Sequence, residues 1–139
     1  MKRNAAFLII GLAALTACVR PGPDLGQRMA LAASNPPIEF KLNVLDDQLN
    51  AWLDVQDVRF TETAGIIGLH IQWKNITDRD LTFSTQARWF AGGLLQETAG
   101  QGWLPVSVMR KDMAITTLMA PKSGVDRLEL SIKIEGRKP

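Results

Sequence analysis

"IGLHIQWK", residues 67–74, sets Ile67, Leu69, Ile71 and Trp73 at alternate positions, with Gly68, His70, Gln72 and Lys74 between them. A period of two places the first set on one face of a β-strand and the second on the other, so this stretch reads as a strand with one buried face. The same alternation runs through Leu81, Phe83, Thr85, Ala87 and Trp89, and again through Leu128, Leu130, Ile132 and Ile134. Upstream, Ile38, Phe40, Leu42 and Val44 form a fourth set. Leu53 and Val55 begin a fifth, but the apolar parity changes at Val58 and Phe60, which predicts a β-bulge across Gln56-Asp57. Residues 103–109 and 113–120 bring the expected number to about seven strands.

Turn-forming residues fall between these runs: Asp46-Asp47, Ala64-Gly65, residues 75–78, Ala91-Gly92-Gly93, residues 100–102, residues 110–112 and residues 121–124. Seven short strands in about a hundred residues, with no convincing amphipathic helix, predict an all-β fold: an immunoglobulin-like antiparallel β-sandwich over residues 38–139. The longest connection, residues 91–102, is expected to cover one end of it.

The N-terminus has a different composition. Lys2 and Arg3 precede an apolar run from Ala5 to Leu15, followed by the small residues Thr16 and Ala17. The run is too short for a bilayer core of about 30 Å, which takes roughly 20 helical residues, and residues 1–17 read as a cleaved export signal. Leu15-Thr16-Ala17-Cys18 resembles the lipobox of bacterial lipoproteins, and Cys18 is the one cysteine of the chain. The resemblance implies acylation of Cys18 and a lipid bilayer as first partner. Several acyl chains on one residue anchor a protein far more firmly than the reversible hold of one myristoyl group. Val19, where aspartate favours the inner membrane, points by the same resemblance to the outer membrane and the periplasm. Residues 18–37 hold Pro21, Gly22, Pro23, Gly26, Pro36 and Pro37, and are expected to be a flexible tether.

Removal of the signal changes the charge balance. The chain carries sixteen Lys and Arg against fourteen Asp and Glu, and without Lys2 and Arg3 there are fourteen of each. No basic block or basic helix remains, so nucleic acid is not an expected partner. An acylated Cys18 leaves no thiol for a disulfide or a metal site.

No set of residues reads as a catalytic group. His70 is the single histidine and shares the polar side of its strand with Gln72 and Lys74. One histidine without cysteine does not make a zinc site. Asp54 with Asp57, and Asp78 with Asp80, lack the ligand order of a calcium loop and read as turn and strand-edge acids. Ser107, Ser123 and Ser131 have no glycine-flanked elbow, and no glycine-rich phosphate loop follows a strand. Asn75-Ile76-Thr77 spells a glycosylation sequon but reads as a turn. No enzyme activity, metal or other cofactor is expected.

Four tryptophans and no tyrosine are a notable aromatic set. Trp73 and Trp89 share the inward register and are expected in the core. Trp52 and Trp103 lie at strand starts, and Phe90 is out of register with Trp89, so Trp52, Phe90 and Trp103 are the candidate partner-binding residues, tryptophan being enriched at interface hot spots. An edge strand open to strand addition is a second expected docking mode.

Asn75, Thr77, Trp89, Phe90, Gly93, Trp103, Ala120 and Pro121, in this order over the C-terminal half, carry a further resemblance. Their pattern is a strand ending in Asn and Thr, a strand ending in Trp-aromatic before a glycine turn, a downstream Trp, an Ala-Pro pair and a final apolar strand. It resembles the YcfL-like lipoprotein family, and departs from it at Ala91, where the family commonly has Asp. The resemblance implies a lipid-anchored β-sandwich of the cell envelope without established enzymatic activity. The expected function is an outer-membrane-anchored, periplasm-facing module that docks on an envelope protein. The alternatives are a structural or pilot lipoprotein of a secretion or envelope machine, and a small-ligand or glycan-binding lipoprotein.

Overall fold

The alternation centred on Ile71 forms a ten-residue strand in the computed structural model, which describes residues 22–97 and 102–135. The signal segment, Cys18 and residues 100–101 of one expected turn lie outside the described residues. In chain order the elements are helix α1 (Leu25–Ala32), β1 (Glu39–Val44), the short helix α2 (Leu49–Trp52), β2 (Leu53–Thr63), β3 (Ile66–Asn75), β4 (Leu81–Ala91), β5 (Leu94–Gln96), β6 (Leu104–Val108), β7 (Met113–Met119) and β8 (Arg127–Ile134).

The strands form two sheets. The larger runs β1-β8-β4-β5, with β6 pairing on the same side of β4 as β5, and the smaller runs β2-β3-β7. Their facing sides make the core. Leu69, Ile71 and Trp73 of β3 are fully buried against Phe83 of β4 and Leu128, Leu130 and Ile132 of β8. Trp73 meets Phe83 edge-on, with ring centroids 5.3 Å apart and planes at 74°, and Phe40 of β1 meets Phe60 of β2 in the same way at 5.6 Å, so two aromatic pairs join the sheets. This geometry adds about 0.5–1.5 kcal/mol to what burial alone contributes. The indole Nε1 of Trp73 donates to Thr116 Oγ1 at 2.9 Å, which satisfies the polar edge of a buried ring.

The β-sandwich is thus as expected, and Trp73 and Trp89 are in its core. The bulge is present as well: the pairing of β2 with β3 slips between Val55 and Asp57, which lets Val55 and Val58 both face inward. Glycines supply the left-handed backbone that two turns need, and Ala64 adopts it beside Gly65 against its own preference. Ala64 and Gly65 have φ of 52° and 76°, and Gly92 and Gly93 have 58° and 79°. Two consecutive positive φ values make tight hairpin connections, one joining β2 to β3 and the other β4 to β5.

Three features differ from the sequence reading. The sandwich is not wholly antiparallel, because β1 pairs parallel to β8, from Glu39 with Arg127 to Val44 with Ile132. Alternation defines a strand's faces but carries no information on the direction of its partner. The strands number eight among the described residues, because the long connection from residue 91 contains β5.

Residues 25–32, assigned to the tether, are a helix built into the core. Asp24 caps it reciprocally with Gln27: its carboxylate accepts from the Gln27 amide at 2.8 Å, and its own amide donates to the Gln27 side chain at 3.2 Å. Leu25 and Met29, one helical turn apart, are both fully buried. Arg28 fastens the outer side, donating to Asp54 at 2.8 Å and to the Asn50 carbonyl at 2.7 Å. Prolines and glycines flank this segment more than they interrupt it, and two apolar residues sufficed to dock it. The helix packs on β1 and β2, the facing edge strands of the two sheets, and closes that side of the sandwich.

Candidate docking surface

Among the described residues, the side of the sandwich opposite α1 has no such cover. There β6 pairs only with β4, and β7 only with β3, among the described residues. The outer edges of these strands face each other across an open seam lined by Leu104, Pro105, Val106, Ile115 and Thr117.

β7 gives this seam its character. Its inward residues are Ala114, Thr116 and Leu118, whereas Met113, Ile115, Thr117 and Met119 point outward. Ile115 is 68% exposed, Met119 54% and Met113 50%. Leu104 on β6 and Met109 in the β6-β7 turn are exposed to a similar degree. Strand register sets Met113 beside Lys74, Ile115 beside Gln72 and Thr117 beside His70 on the same outer face. The row is therefore apolar along β7 and polar along β3. Gly68 closes it: a Cβ there would stand 2.6 Å from Thr61 Oγ1 and 3.0 Å from Met119 Sδ, so the glycine lets these neighbours approach over the strand.

Next to this row is a cleft of about 280 Å³ above the β2 bulge, lined by Asp57, Arg59, Thr61, His70, Gln72 and Ile115. His70 Nδ1 lies 3.1 Å from Thr117 Oγ1, and Arg59 is 3.0 Å from Asp57. Both are contacts along an exposed sheet face. No group of three His, Cys, Asp or Glu among the described residues is placed to hold a metal ion.

The three aromatic candidates do not form a common surface. Phe90 points out of the larger sheet yet is only 7% exposed. The guanidinium of Arg127 lies 4.0 Å from its ring centroid and that of Arg88 5.5 Å, so two long side chains roof it. The ring, expected on an exposed patch, is thus covered. Trp52 is half-buried near the start of β2, with the Arg79 guanidinium 4.5 Å above its ring. Trp103 is half-buried as well and lies under the Lys133 ammonium at 4.4 Å, on the outer face of the larger sheet. Arginine and lysine stems thus occupy the faces that a partner would use.

The acids singled out in the sequence have structural partners. Asp54 pairs with Arg28 and Asp57 with Arg59; Asp78 pairs with Lys111 at 3.2 Å, and Asp80 accepts the Arg110 amide at 2.9 Å. The Asn75-Ile76-Thr77 stretch is indeed a turn: the Asn75 side-chain oxygen accepts from the Thr77 amide at 2.9 Å and from its hydroxyl at 2.7 Å.

The exposed row on β7 was not picked out from the sequence. The signal that could have found it is an inversion: the bulkier Met113 and Ile115 alternate with Ala114 and Thr116, and this small pair faces the core beside Leu118.

No protein-family model matches this chain, and no curated protein matches it. Two solved structures are similar to it. One is a DUF1425 family member from Shewanella sp. pv-4, 20% identical, with a TM-score of 0.53 over 62% of this chain and 81% of that one. The other is cj0090 from Campylobacter jejuni, 11% identical, with a TM-score of 0.52 over 68% of this chain and 97% of that one. At these identities the likeness is one of fold.

Proposed function

We propose that this chain is a lipid-anchored relative of the DUF1425 proteins, the family to which YcfL-like lipoproteins belong. In this reading it is held to the outer membrane through acylated Cys18, faces the periplasm, and serves as a protein-docking module without enzymatic activity. The fold likeness and the order of motifs from Asn75 to Pro121 support the first part. The lipobox-like Leu15-Thr16-Ala17-Cys18 supports the second.

One observation carries the docking role: the open β6-β7 seam, where exposed Met113, Ile115 and Met119 border a strand edge with no neighbour among the described residues. Sandwiches commonly protect such edges with charge, proline or a covering element, and the α1 side of this one is covered. An extended segment of a partner, added beside β7, would pair with its free backbone groups and lay apolar side chains on this row.

The test is photocrosslinking in cells from a photoreactive residue at position 115, with position 62 on the opposite edge strand β2 as control. One dominant protein adduct from position 115, absent from position 62, is the expected result. The same adducts from both positions, or none from position 115, would overturn the reading.

The cleft above the bulge favours a second reading, a small polar ligand or glycan held between Arg59, His70 and Gln72. Chemical-shift changes confined to these residues on titration with envelope glycans would support it.

A further inference from the structure

Helix α1 shortens the distance between the anchor and the folded domain. Because Leu25 and Met29 are locked into the core and Asp24 caps the helix, the stretch that separates Cys18 from the folded domain does not extend to residue 37. It runs from Cys18 to Gly22, four residues, and at about 3.5 Å per residue it spans at most about 14 Å. The domain's own thickness is larger, since a seven-residue strand such as β7 alone is about 20 Å long.

We infer that the end of the sandwich where α1 begins rests against the bilayer into which Cys18 is anchored, and that β7 runs from that end away from the membrane. The inference rests on acylation of Cys18.

The composition of this end is defined by its hydrogen bonds. Leu25 N–H donates to Asn50 Oδ1 at 2.9 Å, Ile76 N–H to the Trp52 carbonyl at 3.0 Å, and Lys111 Nζ to the Ile76 carbonyl at 2.9 Å. The start of α1, helix α2, the turn after β3 and the turn after β6 are thereby neighbours in series. Ile76 and Met109 are exposed on these segments, and Leu45 is exposed between β1 and α2. Acids outnumber bases here, and many are already engaged: Asp46 accepts the Ile134 amide, Asp80 the Arg110 amide, Asp112 the Met113 amide, and Asp78 pairs with Lys111. The end is therefore held by covalent reach and apolar contact at the interface, not by attraction to anionic lipid, and a zwitterionic bilayer suffices.

This orientation bears on the open seam. Met113 lies at the membrane end of β7, beside Lys74 near the end of β3, and Met119 at the far end beside Gly68. The docking row would stand upright on the membrane, with its distal half presented to the periplasm.

The chain supplies its own reporters. Beyond the signal it has four methionines: Met29 in the core, Met109 and Met113 at the α1 end, and Met119 at the other. The chain beginning at Cys18, labelled at the methionine methyls, is coupled through its single thiol to a maleimide lipid in phosphatidylcholine nanodiscs containing a gadolinium headgroup lipid. Paramagnetic broadening falls steeply with distance, and about 20 Å separates Met113 from Met119 along the strand. The expected result is broadening of the Met109 and Met113 methyls at least about threefold greater than that of Met119. A Cys18→Ser, Ser123→Cys double variant, coupled at the opposite end, should reverse the order. Equal broadening, stronger broadening of Met119, or an order unchanged in the double variant would overturn the inference. Attachment is imposed chemically, so this outcome is independent of whether Cys18 is acylated in cells, which the mass of the protein extracted from membranes decides.

Discussion

Asn75, fully buried at the end of β3, donates from Nδ2 to the carbonyl of Val108 at the end of β6, 3.1 Å away, and so ties the smaller sheet to the larger. The same nitrogen donates to the Arg79 carbonyl at 2.7 Å, while the side-chain oxygen takes the Thr77 amide and hydroxyl. A buried amide with every polar atom partnered is favourable only as a complete set.

Asn75→Ala removes that set and leaves the Val108 carbonyl without its side-chain donor. An unsatisfied buried group costs about 1–3 kcal/mol, and more than one partner is lost here. The expected effect is a fall of about 10–20 °C in the thermal midpoint followed by circular dichroism, for a loss of about 2–3 kcal/mol. Thr77→Ser, which keeps the hydroxyl, should remain within about 4 °C of wild type.

Helix α1 belongs to the folding unit. Met29→Ala should destabilise the domain by about 2–4 kcal/mol through the cavity it leaves, and Asp24→Ala by about 1 kcal/mol through loss of the cap. Both are read from urea denaturation. A chain starting at Ser34 should expose the Leu53 and Val55 region and unfold at lower denaturant; unchanged stability on truncation would show that the helix is dispensable.

Gly68→Ala is expected to cost about 1–3 kcal/mol, because the new methyl collides with Thr61 Oγ1 and Met119 Sδ. Pairing it with Thr61→Ala should recover at least half of the loss. The double-mutant cycle measures that recovery as a coupling between contacting residues.

Phe90 and Trp103 should separate. Phe90→Ala uncovers a nearly buried ring site beneath two arginines and should lower stability by about 3 kcal/mol. Trp103→Ala removes a half-buried indole stacked under one lysine and should cost about 1 kcal/mol. Equal losses in thermal melts would contradict the difference in their surroundings.

Cys18→Ser tests the anchor: the protein is expected to move from the membrane fraction to the soluble periplasmic fraction. Retention at the membrane would remove the basis for the lipid-anchored reading.

The strand positions and the inward set of β3, β4 and β8 were legible because period two is a local property, written in neighbouring residues. The slip at Gln56-Asp57 was legible for the same reason, since a bulge changes parity where it occurs. The turn at Asn75 followed from side-chain chemistry two residues long. The exposed apolar row on β7 was hidden by this very rule. On β7, alternation alone would put Met113 and Ile115 inward, but the hydroxyl of Thr116 is needed inside to accept from Trp73, a residue 43 positions away.

The amino-acid sequence thus determined by itself the sandwich class, the core faces of its main strands and the bulge, all of which depend on neighbours within a few residues. Only the tertiary structure decided that β1 runs parallel to β8, that residues 25–32 are core and not tether, that Phe90 is roofed by Arg127, and that the β6-β7 side is the open one among the described residues. Each of these depends on which distant segment supplies the partner: a backbone edge, a pocket for two apolar side chains, or a cation long enough to reach an aromatic face. Such partners are settled by the closing of the whole fold, where burial is decided over all segments at once.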